Sequence, residues 1–189
     1  MKISKAEILR EYGPFAGVSR VNGVTFDGDR IWFAAGDKIH AFDPESGEAV
    51  QAVDVVSHAG TAFDGQHLYQ IAEDRILKID PENGAVLASI PAPGEGGDSG
   101  LTWAEGTLWV GHYRARKIYQ IEPESGEILR TIETSRFVTG VTWVGKELWH
   151  GTWEGEESEL IHIEPDSGKV IEKLEMPPGT GVSGLETDG

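Results

Sequence analysis

The sequence contains no cysteine among its 189 residues. That excludes disulfides, thiolate metal ligands and cysteine nucleophiles together, and it fits a reducing, cytoplasmic setting. Long apolar runs are missing too. No stretch approaches the ~20 residues of a transmembrane helix, and Lys2 and Lys5 are not followed by the apolar segment of a signal peptide. Positive charge is scarce: 16 Lys and Arg stand against 32 Asp and Glu, a formal charge of −16. Such a surface repels phosphate backbones and anionic lipid, so nucleic acid and membranes are not expected partners. Helix-forming runs are short, and only Ala6 to Arg10 reads in isolation as a helical turn.

Turn residues and a repeat fill the space these absences leave. A glycine opens an apolar segment at Gly23-Val24-Thr25-Phe26, Gly60-Thr61-Ala62-Phe63, Gly100-Leu101-Thr102-Trp103, Gly140-Val141-Thr142-Trp143 and Gly184-Leu185-Glu186-Thr187, at intervals of 37, 40, 40 and 44 residues. A second landmark, Asp43-Pro44-Glu45-Ser46-Gly47, returns at Asp80 to Gly84, Glu122 to Gly126 and Glu164 to Gly168. Proline presets φ in such a turn and glycine accepts positive φ. Between the landmarks lie an aromatic strand (Trp32, Tyr69, Trp109, Trp149) and an alternating one such as Lys117-Ile118-Tyr119-Gln120-Ile121. Each unit reads as four short antiparallel strands, A to D, and four strands per repeat of about forty residues define a propeller blade. The register-equivalent aromatics are expected to pack between blades.

The fold expected is an all-β, single-domain propeller, with repeats over roughly 19–56, 57–94, 95–135 and 136–180. The ends point to a fifth, incomplete blade over 181–189 plus 1–15. Glu7-Ile8-Leu9-Arg10 copies Glu127-Ile128-Leu129-Arg130 of a strand D, while Gly184 to Gly189 reads as a lone strand A. Five-bladed closure with the N-terminal strand in that blade is the expectation. Strands B and C are absent from it, so further chain, strands donated by another copy, or closure by four blades alone would complete the ring. The first accounts best for Ile8 to Tyr12. A monomer follows unless another chain donates those strands.

A–B and C–D turns share one face of a propeller, and B–C and D–A connections share the other. Here the first set is short and uniform. The B–C link lengthens from Ala34-Ala35-Gly36-Asp37 to Gly111-His112-Tyr113-Arg114-Ala115-Arg116 and then to the run from Gly151 to Ser158. Loops that depart from a rigid repeat carry function, so the ligand face is expected there. Register puts His162 at an outer polar position, His67 beside an A–B turn and His40 in the core, leaving His58, His112 and His150 near the axis. Their spacings match no local metal motif. No motif requires a cofactor, although the residues leave room for a divalent cation. Asp98 stands just ahead of strand A, where a carboxylate can hold a cation or take a proton. Ser99 lacks the Gly-x-Ser-x-Gly context of a serine nucleophile. Proton transfer is the chemistry these residue types offer. Asp98, His58 and His150 are the catalytic candidates; Tyr113 and Trp153 would wall the pocket. His112 and Asn22 would contact ligand, and Arg136 would orient an anion.

Gly140-Val141-Thr142-Trp143-Val144-Gly145-Lys146-Glu147-Leu148-Trp149, then Trp153, then Ile161-His162-Ile163-Glu164-Pro165-Asp166-Ser167-Gly168-Lys169-Val170, resembles the five-bladed glutamine cyclotransferase-like propellers, as does Asp98-Ser99-Gly100-Leu101-Thr102-Trp103. The chain resembles virginiamycin B lyase and YVTN-type propellers more loosely. The first resemblance implies pyroglutamate formation from N-terminal glutamine, with a glutamate just ahead of an inner-strand glycine as acid/base. The matching positions here are Asn22, Ala59, Ser99, Thr139 and Ser183, none of them glutamate, and Asp98 is one residue away. The expected function is therefore a small soluble propeller binding or transforming a small polar ligand at an axial pocket, with cyclotransferase-like or lyase-like acid/base chemistry if it is an enzyme. A non-catalytic interaction scaffold for a protein or peptide, or a reconstructed repeat protein without selected activity, are the alternatives.

Overall fold

The repeated turns form as their chemistry dictates. Gly47, Gly84, Gly126 and Gly168 all take positive φ, between 70° and 78°. In three of the four turns the opening acidic residue folds back on the backbone: Asp43 accepts from Glu45 N–H at 2.7 Å, Asp80 from Glu82 and Glu122 from Glu124, each at 2.9 Å, while Glu164 accepts from the Ser167 hydroxyl. Hairpins closed in this way set the strand boundaries. In the computed structural model, which describes residues 1–189, there are sixteen strands and no helix long and apolar enough to cross a membrane.

Strand β1 (Lys2–Lys5) is followed by a first sheet of β2 (Gly23–Phe26), β3 (Ile31–Phe42) and β4 (Ala49–Ser57). The second sheet contains β5 (Thr61–Phe63), β6 (Leu68–Ala72), β7 (Arg75–Ile79) and β8 (Val86–Pro91). The third contains β9 (Asp98–Ala104), β10 (Thr107–His112), β11 (Lys117–Ile121) and β12 (Ile128–Glu133). The fourth contains β13 (Val141–Val144), β14 (Glu147–Glu154), β15 (Glu157–Ile163) and β16 (Val170–Glu175). β3 serves as both B and C strands of its blade. Phe33 and His40 would lie over ~20 Å apart along straight β-structure, yet their rings stack at 5.1 Å, so the strand doubles back at Gly36, where φ is 75°. Four blades of antiparallel strands result.

The core is divided among the blade interfaces. Trp32, Ile39 and Val53 of the first blade meet Leu68 and Ile79 of the second. Tyr69, Ile71 and Ile76 meet Leu101, Leu108 and Ile121 of the third. Trp109, Ile118 and Ile132 meet Val141, Leu148 and Ile161 of the fourth. The register-equivalent aromatics sit in these interfaces: Tyr69 stacks on Trp103 at 5.5 Å, and Trp109 packs on Trp143 at 5.1 Å.

The axis is built from bare backbone. A Cβ added to Gly23 would come within 2.8 Å of Gly60 Cα; one on Gly60, within 2.6 Å of Gly100 C. From Gly100 the corresponding approach to Gly140 is 2.8 Å, from Gly140 to Gly184 it is 2.8 Å, and from Gly184 back to Gly23 it is 3.2 Å. Five glycines thus close a cycle around the axis, the fifth supplied by the C-terminal segment. Glu186 locks that segment to both sides. Its carboxylate accepts from Thr25 of the first blade at 2.9 Å and from Thr142 of the fourth at 2.5 Å.

Two expectations are corrected here. There are four blades, not five, and the N-terminal strand does not complete a fifth. Glu7 to Arg10 forms no strand, and Leu9 is 91% exposed. A D-type strand needs a C strand to pair with, and the fifth sector offers none. Instead β1 adds in parallel to the outer edge of the fourth blade, pairing Lys2 with Glu172 and Lys5 with Glu175. Tyr12 and Phe15 then cover the open face of the first blade, 4.8 Å from Phe42 and Phe33. The second correction concerns His162, which is buried, not outward, and stacks on Trp149 at 4.8 Å. Tyr69 and Trp109 find an aromatic partner on the following blade. Thr187 stands at the position equivalent to Trp103 and Trp143, so Trp149 takes the histidine of its own blade.

Because the axial contacts are backbone to backbone, they leave no side chain free to yield. Gly100→Ala is expected to destabilise the protein by about 3 kcal/mol or more, measured as a lowered urea midpoint with the slope unchanged. An unchanged midpoint would show that the blades slide apart at little cost.

Candidate functional site

The glycine cycle determines what can face the axis. The residue before each glycine, at the end of a D–A connection, is carried to the rim, so Asn22, Ala59, Ser99, Thr139 and Ser183 line one cavity of about 420 Å³. Tyr113, Trp153 and Gly155 of the long B–C loops form its wall; His58, Asp98 and Arg20 complete it. Several rim groups are held in place by hydrogen bonds across blades. The Ser99 hydroxyl donates to Val138 C=O at 2.6 Å, and Ser183 donates to Val21 C=O at 2.9 Å. Ser99 thereby joins the third and fourth blades. Tyr113 donates its hydroxyl to Trp153 C=O at 3.2 Å, and the Trp153 ring, 42% exposed, lies against Gly181.

Asp98 is the chemically distinctive member. It is 8% exposed, and its Oδ2 accepts from Gly94 N–H at 2.9 Å, while its Oδ1 is buried without a hydrogen-bond partner. Burial pushes the carboxyl pKa up to about 6, against the pull of the Gly94 N–H and the nearby His112. The 93–97 loop produces this burial. A Cβ at Gly94 would collide with Asp98 Oδ1 and the His112 ring, and one at Gly97 would come within 2.6 Å of His112 Nε2. Only glycines let the loop close so tightly. His112 Nδ1 accepts from Ala115 N–H at 3.2 Å, which places the ring proton of a neutral imidazole on Nε2.

The structure brings His58, Asp98, Asn22, Tyr113 and Trp153 to one cavity and sets His112 directly behind Asp98. It does not bring His150 there. That side chain is 1% exposed within β14, donates from Nδ1 to Gly151 C=O at 3.2 Å, and is lowered by burial to a pKa of about 4. Arg136 is likewise outside the lining, within 3.6 Å of Glu154 and 3.4 Å of Glu159. Arg20, which sequence reasoning passed over, is the only Arg or Lys of the cavity. Its sole sequence signal is position, two residues ahead of Asn22 in the segment that leads into β2. No group of three or more His, Asp or Glu is arranged to hold a metal ion.

A four-stranded-blade propeller with a polar axial cavity is the class these features define. No protein-family model matches the chain, and no curated protein matches its sequence. Among solved structures it is similar to glutaminyl cyclase from Myxococcus xanthus, with a TM-score of 0.78 at 17% identity, over 93% of this chain and 78% of that one. It is also similar to virginiamycin B lyase from Staphylococcus aureus, with a TM-score of 0.58 at 17% identity, over 88% and 59%. Hydrazine synthase from Kuenenia stuttgartiensis superposes with a TM-score of 0.57 at 21% identity, over 86% and 53%. The chain therefore shares the propeller fold of both enzymes that its motifs resemble.

The two buried titrating groups act on stability with opposite signs. Asp98 has a folded pKa above its unfolded one, so the native state holds its proton more tightly, and stability falls as pH rises from about 4 to about 6. Asp98→Asn is expected to stabilise the protein by about 1–3 kcal/mol near pH 7 and by little near pH 4, measured by denaturant titration. His150 has a folded pKa below its unfolded one, so it removes stability as pH falls from about 6.5 to about 4. His150→Gln, which installs the residue found at the equivalent Gln70, is expected to flatten that acid limb. A loss of stability in Asp98→Asn near pH 7 would contradict the assignment of Asp98 as a strained, buried carboxylate.

Proposed function

We propose that the axial cavity binds a small polar ligand and that Asp98 moves a proton on it, in cyclotransferase-like acid/base chemistry. The observation that carries this reading is the Asp98 carboxyl: buried at the cavity, one oxygen without a partner, its pKa held at about 6. A carboxylate in that state is a stronger base than an exposed one and can return the proton it takes at neutral pH. In the cyclisation of an N-terminal glutamine, the amine attacks the side-chain amide carbon, Asp98 accepts a proton from the amine, and that proton leaves with ammonia. His58, Tyr113 and Trp153 border the substrate, and Asn22 and Arg20 offer donors for a carbonyl or carboxylate. His112 behind Asp98 favours the ionised form of the carboxyl. Shared fold with a glutaminyl cyclase supports the reaction class, and Asp98 supplies the carboxyl one residue from the position the resemblance points to. The chemistry needs no cofactor.

Asp98→Asn preserves the shape of the side chain and removes its proton chemistry. Incubated with glutaminyl-alanine amide, the parent protein is expected to release ammonia, followed by mass spectrometry, at a rate that rises through about pH 6 as Asp98 ionises and levels off only above about 8, where the substrate amine is unprotonated. Asp98→Asn should lower that rate by about 10²–10⁴-fold. No ammonia release from the parent, or an unchanged rate in the variant, would overturn the reading. Binding of a folded protein partner over this face, without turnover, would favour the scaffold role.

A further inference from the structure

The axial cavity does not end at its own rim. A second crevice, between the B–C turn of the second blade and the D–A loop of the third, shares His58, Ala59 and Asp98 with it. Ile71 and Gly96 also line it, and its remaining polar side chains are all acidic: Glu73, Asp74 and Glu95. None of the three is paired with a Lys or Arg, in contrast to Glu154 and Glu159 across the cavity, which Arg136 engages. No Lys or Arg lines the crevice. The group shared by both hollows, Asp98, is more than nine-tenths buried, and its Oδ1 has no hydrogen-bond partner within the fold, so a carboxyl with an unmet demand lies between them.

We propose that the ligand of the axial cavity carries a fixed positive charge, an ammonium or guanidinium, that lies in the crevice against Glu73, Asp74 and Glu95. This rests on the reading of the cavity as the reactive site and adds the class of substrate: one whose reacting end sits at the axis beside Asp98, and whose cationic arm runs outward between the second and third blades. Arg20, on the first blade's side of the cavity, fixes the direction, because a cationic arm laid that way meets like charge. For a peptide substrate, the cation belongs to the residue after the reacting one. Exposed carboxylates along an open crevice attract a cation at a range that salt shortens.

The test compares three probes that differ only in that arm: glutaminyl-lysine amide, glutaminyl-norleucine amide and glutaminyl-glutamate amide. Each is measured for ammonia release and, by quenching of tryptophan fluorescence, for binding. The lysine probe is expected to bind about tenfold more tightly than the norleucine probe at low ionic strength, with the glutamate probe weakest and the differences shrinking in high salt. In the combined variant Glu73→Gln, Asp74→Asn, Glu95→Gln, the lysine-to-norleucine ratio should collapse toward one. The combined variant Glu45→Gln, Glu82→Gln, Glu124→Gln, on C–D turns of the opposite face, removes the same number of charges and should leave the ratio as in the parent, separating local charge from net charge. Equal binding of lysine and norleucine probes, or a ratio that survives the triple substitution, overturns the cationic arm while the cavity reading stands. Failure of all three probes to bind overturns both.

Discussion

Backbone pressed against backbone at the axis is the contact on which the remaining structure depends. Glycines at 23, 60, 100 and 140 let successive inner strands approach until a single methyl group would not fit between them, and Gly184 closes the cycle at slightly longer range. That approach brings each blade's apolar face onto the next and buries Trp32, Tyr69 and Trp109 in separate interfaces. It also confines the residue before each glycine to a small circle. A cavity at the end of the axis is therefore a geometric product of the ring, and its chemistry is decided by whatever the segments leading into the five glycines and the longer B–C loops place there.

Two carboxyl groups near the axis show how differently such positions can be used. Glu186 and Asp98 are both pushed upward in pKa by burial. Glu186 receives hydroxyl donors from two blades and the N–H of Thr187, so its oxygens are satisfied and it acts as a clamp. Asp98 receives one N–H, and its other oxygen is left bare. A group whose needs are met within the fold is structural. One left unmet at the border of a cavity, beneath a glycine loop that bears its own steric constraints, is not used by the fold.

The ring was legible because it is periodic. Five Gly-led segments and four Pro-x-x-Gly turns repeat, and the aromatic register marks which strands meet the neighbouring blade. The cavity's Asn22, His58, Asp98, Tyr113 and Trp153 were legible for the same reason, since loop class and register fix the face. What escaped was whatever depends on a partner the repeat does not specify. Glu7 to Arg10 looks like a D strand because local sequence reports strand character, but pairing is decided by the available edge, and the fourth blade had one. His150 aligns with Phe33, Gln70 and Val110, all buried; its register indicated core, and its chemistry drew attention to the axis instead. Arg136 needed Glu154 and Glu159 from a hairpin later in the chain to reveal that it was already paired. Arg20 shares its place with no feature that recurs.

The clamp between Thr25 and Glu186 joins residues 161 apart, whereas every other blade interface joins neighbours in sequence. Stacking four blades is a one-dimensional process in which each unit needs only the one before it, and an open stack has two ends that fray. Joining the ends changes the class of the problem. The inner strands of the two terminal blades are tied to one segment, neither end can open without breaking that tie, and the chain pays a single long loop closure for it, a cost that grows only as the logarithm of length. The last few residues, one strand thick and contributing little core, thereby convert a linear array into a cooperative ring.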